Sequence, residues 1–425
     1  MPALPKKTVG PSGRGSAARQ VKAFLILGAL LAIQSVVSLR EGLRFLRRVR
    51  ESRRSVGTFA PPAAVVIPCK GIDPDFDVNL SRFLAQDYPR YQTIFVVASE
   101  NDPACEALAA RIREWGQARG GPSKIDLVVA GFAEDRGEKV NNLIRGVAAA
   151  GPGAEVLVFA DIDARPQRDW LRSLVAPLED PSVTVSTGFR WYLPGRGFAS
   201  HLRAAWDTSI ATLLGDHDHN FAWGGSMAIR AQDFKRLEIV ERHWARSLSD
   251  DYGVTRAVRA AGEKIHFEPR CLLASCEETT FVEFLRWSTR QIVITRVYAP
   301  HLWQLGLASS GLYCGTFLLG LVLLGLAGSP PASLLIVAFL AAILLLGAAK
   351  GRLRTAVARE IFADEGTELA RFGARYWQLA PLVPWIMVFN FVVAGFARRI
   401  EWRGTLYELR SPDQVRVVRR GEASQ

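Results

Sequence analysis

Thiols are scarce in this chain, and so are the spacings that would put them to use. Its 425 residues hold five cysteines, Cys69, Cys105, Cys271, Cys276 and Cys314, an odd number with no C-x-x-C pair. That pattern argues against a disulfide framework or a zinc site and leaves reduced, mostly buried thiols as the default. Acidic side chains are also in deficit: 41 Asp and Glu stand against 53 Lys and Arg, a formal charge of +12. Such a balance suits nucleic acid, an anionic membrane face or phosphorylated substrates. Single-strand nucleic-acid binders interleave cations with exposed aromatics. No such stripe is present, so nucleic acid is not expected as a partner. No A-x-A cleavage site follows the first apolar run, and the region before it is long, which favours an uncleaved anchor over a signal peptide.

The cations that are present gather at the edges of apolar runs. After a basic N-terminal tail (1–22), residues 23–39 are apolar apart from Gln34 and two serines, at the short end of what spans a bilayer core of about 30 Å. Arg40, Arg44, Arg47, Arg48, Arg50, Arg53 and Arg54 follow at once, as juxtamembrane anchors do. Residues 305–326 and 332–349, joined by a Gly/Pro turn, predict a transmembrane hairpin over 305–349. A fourth segment, 379–396, contains Pro381, Pro384 and Asn390, and either spans or dips in and returns. The arginine run places the middle of the chain on the cytoplasmic side of what its Arg- and Ala-rich composition suggests is a bacterial inner membrane. A full fourth span would put the basic tail (397–425, with Arg398, Arg399, Arg403, Arg416, Arg419 and Arg420) outside, against its charge.

Between Pro61 and Pro300 lies one domain of ordinary globular composition. Short valine-rich runs at 63–68, 91–98, 124–129 and 155–159 alternate with helical stretches at 77–85, 103–118 and 141–150, which predicts an α/β fold with a mainly parallel, doubly wound sheet. Ligands of such sheets bind beyond the carboxyl ends of the strands. The fourth strand ends in Asp161-Ile162-Asp163. Packing gives no reason to push two carboxylates out of a buried strand; a Mg²⁺ or Mn²⁺ ion holding a diphosphate does. The plainer alternative is a helix start capped by Asp163. Asp250-Asp251-Tyr252 opens a further helix, where a carboxylate pair suits a cap and the dipole, or a base facing a sugar. The stretch 281–300 mixes Arg286, Arg290 and Arg296 with Trp287, Ile292 and Tyr298, the pattern of an interfacial amphipathic helix. Arg also clamps diphosphates well. Asp216-His217-Asp218-His219 looks like a metal site, yet neighbouring residues of an extended segment point opposite ways and no further ligand sits at metal spacing. An acceptor-side loop or a solvated turn are the other readings.

In this order the motifs IPCKGIDPDFDVNLSRFLAQDYPRY (67–91), ASENDPA (98–104), EKVNNLIRG (138–146), FADIDARP (159–166), GGSMAIR (224–230) and SDDY (249–252), with a following Arg-Trp, resemble the membrane-bound inverting glycosyltransferases typified by ceramide glucosyltransferases. The resemblance covers most of 61–300 and implies a GT-A type fold, a UDP-hexose donor with glucose foremost, and a membrane lipid such as ceramide as acceptor. It implies Asp102 at the uridine, Lys139 and Asn142 lining the nucleotide pocket, and Asp161 and Asp163 as ligands of Mg²⁺ or Mn²⁺. Asp251 would be the general base, Arg286 would steady the departing diphosphate, and Trp223, Asp250 and Trp287 would face the acceptor. The family's closing motif is Gln-or-Arg-x-x-Arg-Trp; here Glu283 holds its first position, which leaves that residue without a role. A polysaccharide synthase uses the same catalytic domain but carries more membrane helices. A non-catalytic scaffold would have no reason to keep Asp102, Asp163 and Asp251.

Overall fold

The valine-rich opening of the middle domain forms β1 (Ala63–Pro68), buried almost throughout and paired in parallel with β2 (Tyr91–Val97) on one side and β4 (Val156–Ala160) on the other. Val66 lies opposite both Ile94 and Phe159. With β3 (Lys124–Val129) beyond β2, four parallel strands stand in the order β3-β2-β1-β4. β1, β2 and β4 are covered on both faces and need apolar side chains at nearly every position, which is why these three runs do not alternate; β3 is the half-exposed edge. Helices α2 (Phe76–Leu84), α3 (Pro103–Trp115) and α4 (Glu138–Ala149) connect them. The computed structural model describes residues 11–52, 57–115, 121–326, 330–362 and 376–421, so the last residues of the helix expected over 103–118 lie outside the described residues.

Beyond β4 the winding changes. After α5 (Trp170–Val175), β5 (Val183–Tyr192) runs out to α6 (Phe198–Ala211), and β6 (Ser226–Arg230) returns antiparallel between β4 and β5. After α7 (Ala231–Arg236) and α8 (Asp250–Ala260), β7 (Lys264–Ser275) lies parallel to β5. The result is a seven-stranded, mainly parallel sheet in the order β3-β2-β1-β4-β6-β5-β7, the α/β architecture of the GT-A type.

Helix α1 (Pro11–Ser52) extends well past the apolar stretch 23–39. Its last turns enter the domain core, where Phe45 stacks on Trp191 and Phe267 at ring-centroid distances of 6.5 and 5.5 Å. Such aromatic pairs contribute about 0.5–1.5 kcal/mol each beyond their buried area, so anchor and domain share one core. After α9 (Phe281–Tyr298), helices α10 (Pro300–Leu326) and α11 (Pro330–Ile361) form the expected hairpin. Three helices among the described residues are long and apolar enough to cross a membrane. The polar Gln34 of α1 donates its amide to Ser309 of α10 at 2.5 Å, a typical interhelical contact where no water is at hand.

The fourth segment is broken into α12 (Tyr376–Leu379) and α13 (Val383–Phe396). Fourteen helical residues span about 21 Å, short of the bilayer core. The chain after it is not a loose basic tail but a three-stranded antiparallel sheet of β8 (Arg399–Trp402), β9 (Thr405–Ser411) and β10 (Gln414–Arg420). This sheet docks on the α/β domain: Val417 N donates to Glu134 O at 3.3 Å, Arg256 pairs with Asp413 at 2.9 Å, and Arg403 pairs with Asp73 at 2.9 Å. The C-terminal sheet and the domain thus form one packed body, and a short α13 that dips in and returns would remove the charge conflict read from the sequence.

Candidate active site

The Asp-x-Asp is fixed from both sides. Asp161 N donates to Gly225 O at 3.4 Å, Arg165 N donates to Ala274 O of β7 at 3.1 Å, and Ile162 between the carboxylates is buried. The next helix starts only at Trp170, so Asp163 is no helix cap. Arg190 reaches across from β5: Nη2 lies 3.1 Å from Asp161 Oδ2 and 2.6 Å from Asp163 Oδ1, and Nη1 lies 3.1 Å from Asp163 Oδ2. Burial pushes the Asp163 carboxyl up, but Arg190 and Arg403 outweigh it and hold the group below the usual carboxylate range.

Lys139 enters from the first turn of α4, which is tied down by Gly137 N donating to Ser247 O at 2.9 Å. Its Nζ lies 2.8 Å from Asp161 Oδ1 and 3.4 Å from Asp250 Oδ2. Burial works against its charge; Asp161, Asp250 and Asp251 more than compensate and raise its pKa above the ordinary lysine value. Asp250 is almost fully buried, and burial, aided by Asp251 and Asp161 and opposed by Lys139, pushes it to about 7. Asp251 beside it is firmly held: Oδ1 accepts from Ser249 Oγ and from Tyr252 N at 2.7 Å, and Oδ2 faces Gly224 N at 3.5 Å. The Gly224-Gly225 pair makes this approach possible. A Cβ at Gly224 would stand 1.8 Å from Asp250 Oδ2, and one at Gly225 would stand 2.7 Å from Asp161 Oδ2.

Asp102 lies on the same rim, after β2. Its Oδ1 accepts from Gly71 N at 2.8 Å and Ala104 N at 2.9 Å, tying the loop after β1 to the start of α3. Asn142 is buried and donates to Val96 O at 3.3 Å, with its Oδ1 lacking a hydrogen-bond partner. Trp223 flanks the site, its ring 5.4 Å from the Arg190 guanidinium and 5.7 Å from Phe189. Trp287 packs edge-on against Trp206 and Tyr192 at 5.1 and 5.5 Å.

Arg286 does not reach this cluster: it is exposed on α9. Arg290, one turn further along α9 on the same face (i, i+4), is half-buried where Arg286 is exposed. Arg290 comes within electrostatic reach of Tyr192, Arg403, Arg190 and Asp163, and burial pulls its pKa down to about 10. Glu283, the misfit in the closing motif, forms a capping box. Its Oε2 accepts from Thr280 N at 2.8 Å, while Thr280 Oγ1 accepts from Glu283 N at 3.3 Å. The Asp216–His219 run closes on itself as an exposed turn, with His219 N donating to His217 Nδ1 at 3.1 Å. Among the described residues, no three of His, Cys, Asp and Glu are grouped to hold a metal. Asp161 and Asp163 do offer two hard oxygen ligands, the number Mg²⁺ commonly takes alongside substrate phosphates, and their oxygens are here engaged by Arg190 and Lys139.

Sequence reasoning missed Arg190, Arg403 and Asp207. The signal for Arg190 was a lone cation inside the apolar strand run TGFRWY. Asp207 on α6 is buried, its Oδ2 has no hydrogen-bond partner, and burial drives its carboxyl up to about 7 against the pull of Arg190, the Tyr192 amide and Arg203. A raised acid binds its proton in the folded state and releases it in the unfolded state, so its penalty builds up between about pH 4 and pH 7 and is complete above that. Asp207→Asn should therefore gain on the order of 2 kcal/mol more over the wild type at pH 8 than at pH 5, measured as denaturation midpoints of the detergent-solubilised protein.

The profile described as glycosyl transferase family 21 matches residues 27–415. A ceramide glucosyltransferase of Komagataella phaffii is 33% identical over 90 residues, a match covering 20% of this chain and 16% of that protein's length. Among solved structures, the mannosyltransferase PcManGT from Pyrobaculum calidifontis, in complex with GDP-Man and Mn²⁺, aligns with a TM-score of 0.44 at 16% identity over 87% of this chain and 99% of the other. With a match across nearly its whole length, the chain belongs to glycosyl transferase family 21.

Proposed function

We propose that this glycosyltransferase moves a hexose, glucose foremost, from a UDP-sugar to the hydroxyl of a membrane lipid of the ceramide type, inverting the anomeric carbon. One observation carries the reading. Carboxylates from β4 and α8 and cations from α4 and β5 meet at a single rim of the sheet, and α9, which borders that rim through Trp287, packs against α10 and α13 on its other side. A lipid that never leaves the bilayer has to present its hydroxyl at such a boundary.

In the reaction, Asp251 accepts the proton of the acceptor hydroxyl as that oxygen attacks the anomeric carbon. A single displacement inverts the configuration. Lys139 and Arg190 supply fixed positive charge where the leaving diphosphate gains negative charge. A Mg²⁺ or Mn²⁺ ion, if held by Asp161 and Asp163, adds charge neutralisation for the same phosphates. Asp102 and Asn142 stand at the nucleoside end, and Trp223 and Trp287 offer aromatic faces to sugar and acceptor. The arginines that follow the apolar stretch of α1 favour a cytoplasmic position for the domain and the C-terminal sheet packed on it.

The test is incubation of membranes containing the protein with labelled UDP-glucose, UDP-galactose, UDP-N-acetylglucosamine and UDP-glucuronate, followed by lipid extraction. Label in the lipid phase, dependent on Asp251, is the expected result. Label recovered in a water-soluble polymer would turn the reading to a polysaccharide synthase, and no release of UDP with any donor would refute it.

A further inference from the structure

We infer that the C-terminal sheet is a working part of the donor site, with Arg403 at its first turn binding the diphosphate of the nucleotide sugar. This deepens the reading above and rests on it. The β8–β9 turn consists of Arg403 and Gly404, with Trp402 and Thr405 paired across it. Both turn residues have positive φ, 45° and 76°, as a two-residue hairpin of the primed type requires. Asn-Gly is the usual occupant; an arginine is held there against its backbone preference. Its guanidinium is aimed inward. Nη1 donates to Lys70 O at 2.7 Å and Nη2 to Asp73 Oδ2 at 2.9 Å, and Nη2 stands 3.6 Å from Asp163 Oδ2.

The sheet is fastened to the very turn that delivers Lys139. Lys70 Nζ contacts Glu138 Oε2 at 2.5 Å and Thr405 Oγ1 at 3.0 Å, Thr405 Oγ1 donates to Glu138 Oε2 at 3.2 Å, and Glu138 N donates to Tyr407 OH at 3.2 Å. Arg290 of α9 stands beside the turn, 5.4 Å above the Trp402 ring. Its Nε has no hydrogen-bond partner, and among the described residues no carboxylate lies within ion-pair distance of it. Guanidinium groups from β5 and the C-terminal turn thus converge on Asp163, and Arg290 of α9 stands beside that turn. The 3.6 Å contact from Arg403 to Asp163 is beyond hydrogen-bond length, and a phosphate oxygen in the cleft would be a better partner. Planar guanidinium forks suit the paired oxygens of a diphosphate.

The test measures binding of UDP and UMP to the full-length chain in detergent by titration calorimetry. For Arg403→Ala, UDP affinity is expected to fall about tenfold or more while UMP affinity changes by less than about threefold. Arg403→Lys, which keeps the charge but not the fork, should fall in between, and Arg410→Ala, on an exposed pair with Glu408 of the same sheet, should bind both as the wild type does. Unchanged UDP binding in Arg403→Ala, or an equal loss for UDP and UMP, overturns the inference. Should the alanine variant fail to fold, the same UDP-to-UMP comparison on Arg403→Lys decides. Failure of the wild type to bind UDP would instead strike down the functional reading, and this one with it.

Discussion

Asp251→Asn is expected to lower lipid glycosylation by about 10²–10⁴-fold while leaving UDP affinity within a few-fold of the wild type. The substitution is chosen because the fold around it survives. Ser249 Oγ and Tyr252 N both donate to Asp251 Oδ1, and the carbonyl oxygen of asparagine can accept the same two bonds, so the start of α8 keeps its cap. What asparagine cannot do is take a proton from the attacking hydroxyl. In the proposed reaction the diphosphate is held by Lys139 and Arg190, whose ion pairs run to Asp161, Asp163 and Asp250. The check is sugar transfer to extracted lipid alongside a UDP titration on the same preparation. A parallel collapse of both would remove Asp251 from the role of base. Asp250, pushed to about 7 by its burial, is the residue to which that role would pass if Asp250→Asn were inert and Asp251→Asn active.

How far the sequence could be read follows from the kind of pattern each element leaves. Strands β1, β2 and β4 are buried on both faces and β3 is a half-exposed edge strand; all four are apolar runs connected by helices, and their ends come within a residue or two of the expected positions. The Asp-x-Asp was legible for the same reason, since acids at the end of a buried strand have no packing cause. Strands β5 to β7 were harder. Their pairing mixes parallel and antiparallel neighbours around β6, which simple alternation does not encode. The motif residues Asp102, Lys139, Asn142, Asp161, Asp163, Asp250 and Asp251 lie along one rim. Arg286 is exposed on α9, while Arg290, one turn on along the same face, is half-buried near Asp163, and a motif's spacing does not record that difference of depth. The C-terminal sheet was illegible as part of the site. Its arginines read as topological charges, and nothing local reveals that Arg403 crosses to Asp73 and Asp163 from more than two hundred residues away in sequence.

Arg190 is where stability and chemistry meet most closely, and Arg190→Met is expected to cost about 3–5 kcal/mol of folding stability, the range for stripping one partner from a buried ion-pair cluster. Methionine fills much of the space of the arginine stem but leaves Asp161 with Lys139 alone and Asp163 with the distant Arg403. Arg190→Lys should rescue little, since a point charge cannot bridge two carboxylates and the Tyr192 hydroxyl at once. The pH dependence supplies the sign. Asp163 is held below its ordinary value in the folded wild type, so its contribution is present above the unfolded carboxylate pKa and is lost as pH falls through the depressed folded value. Without Arg190 that depression is largely gone. The deficit of Arg190→Met in chemical denaturation should therefore be at its full value near pH 7 and shrink as pH falls below about 4, where wild-type Asp163 loses its own advantage. Mn²⁺ or Mg²⁺ should also stabilise this variant more than the wild type, because a divalent cation offers the orphaned Asp161 and Asp163 the charge they have lost. A deficit that stayed constant across this pH range would show that Arg190 acts through packing and not through the carboxylates it spans.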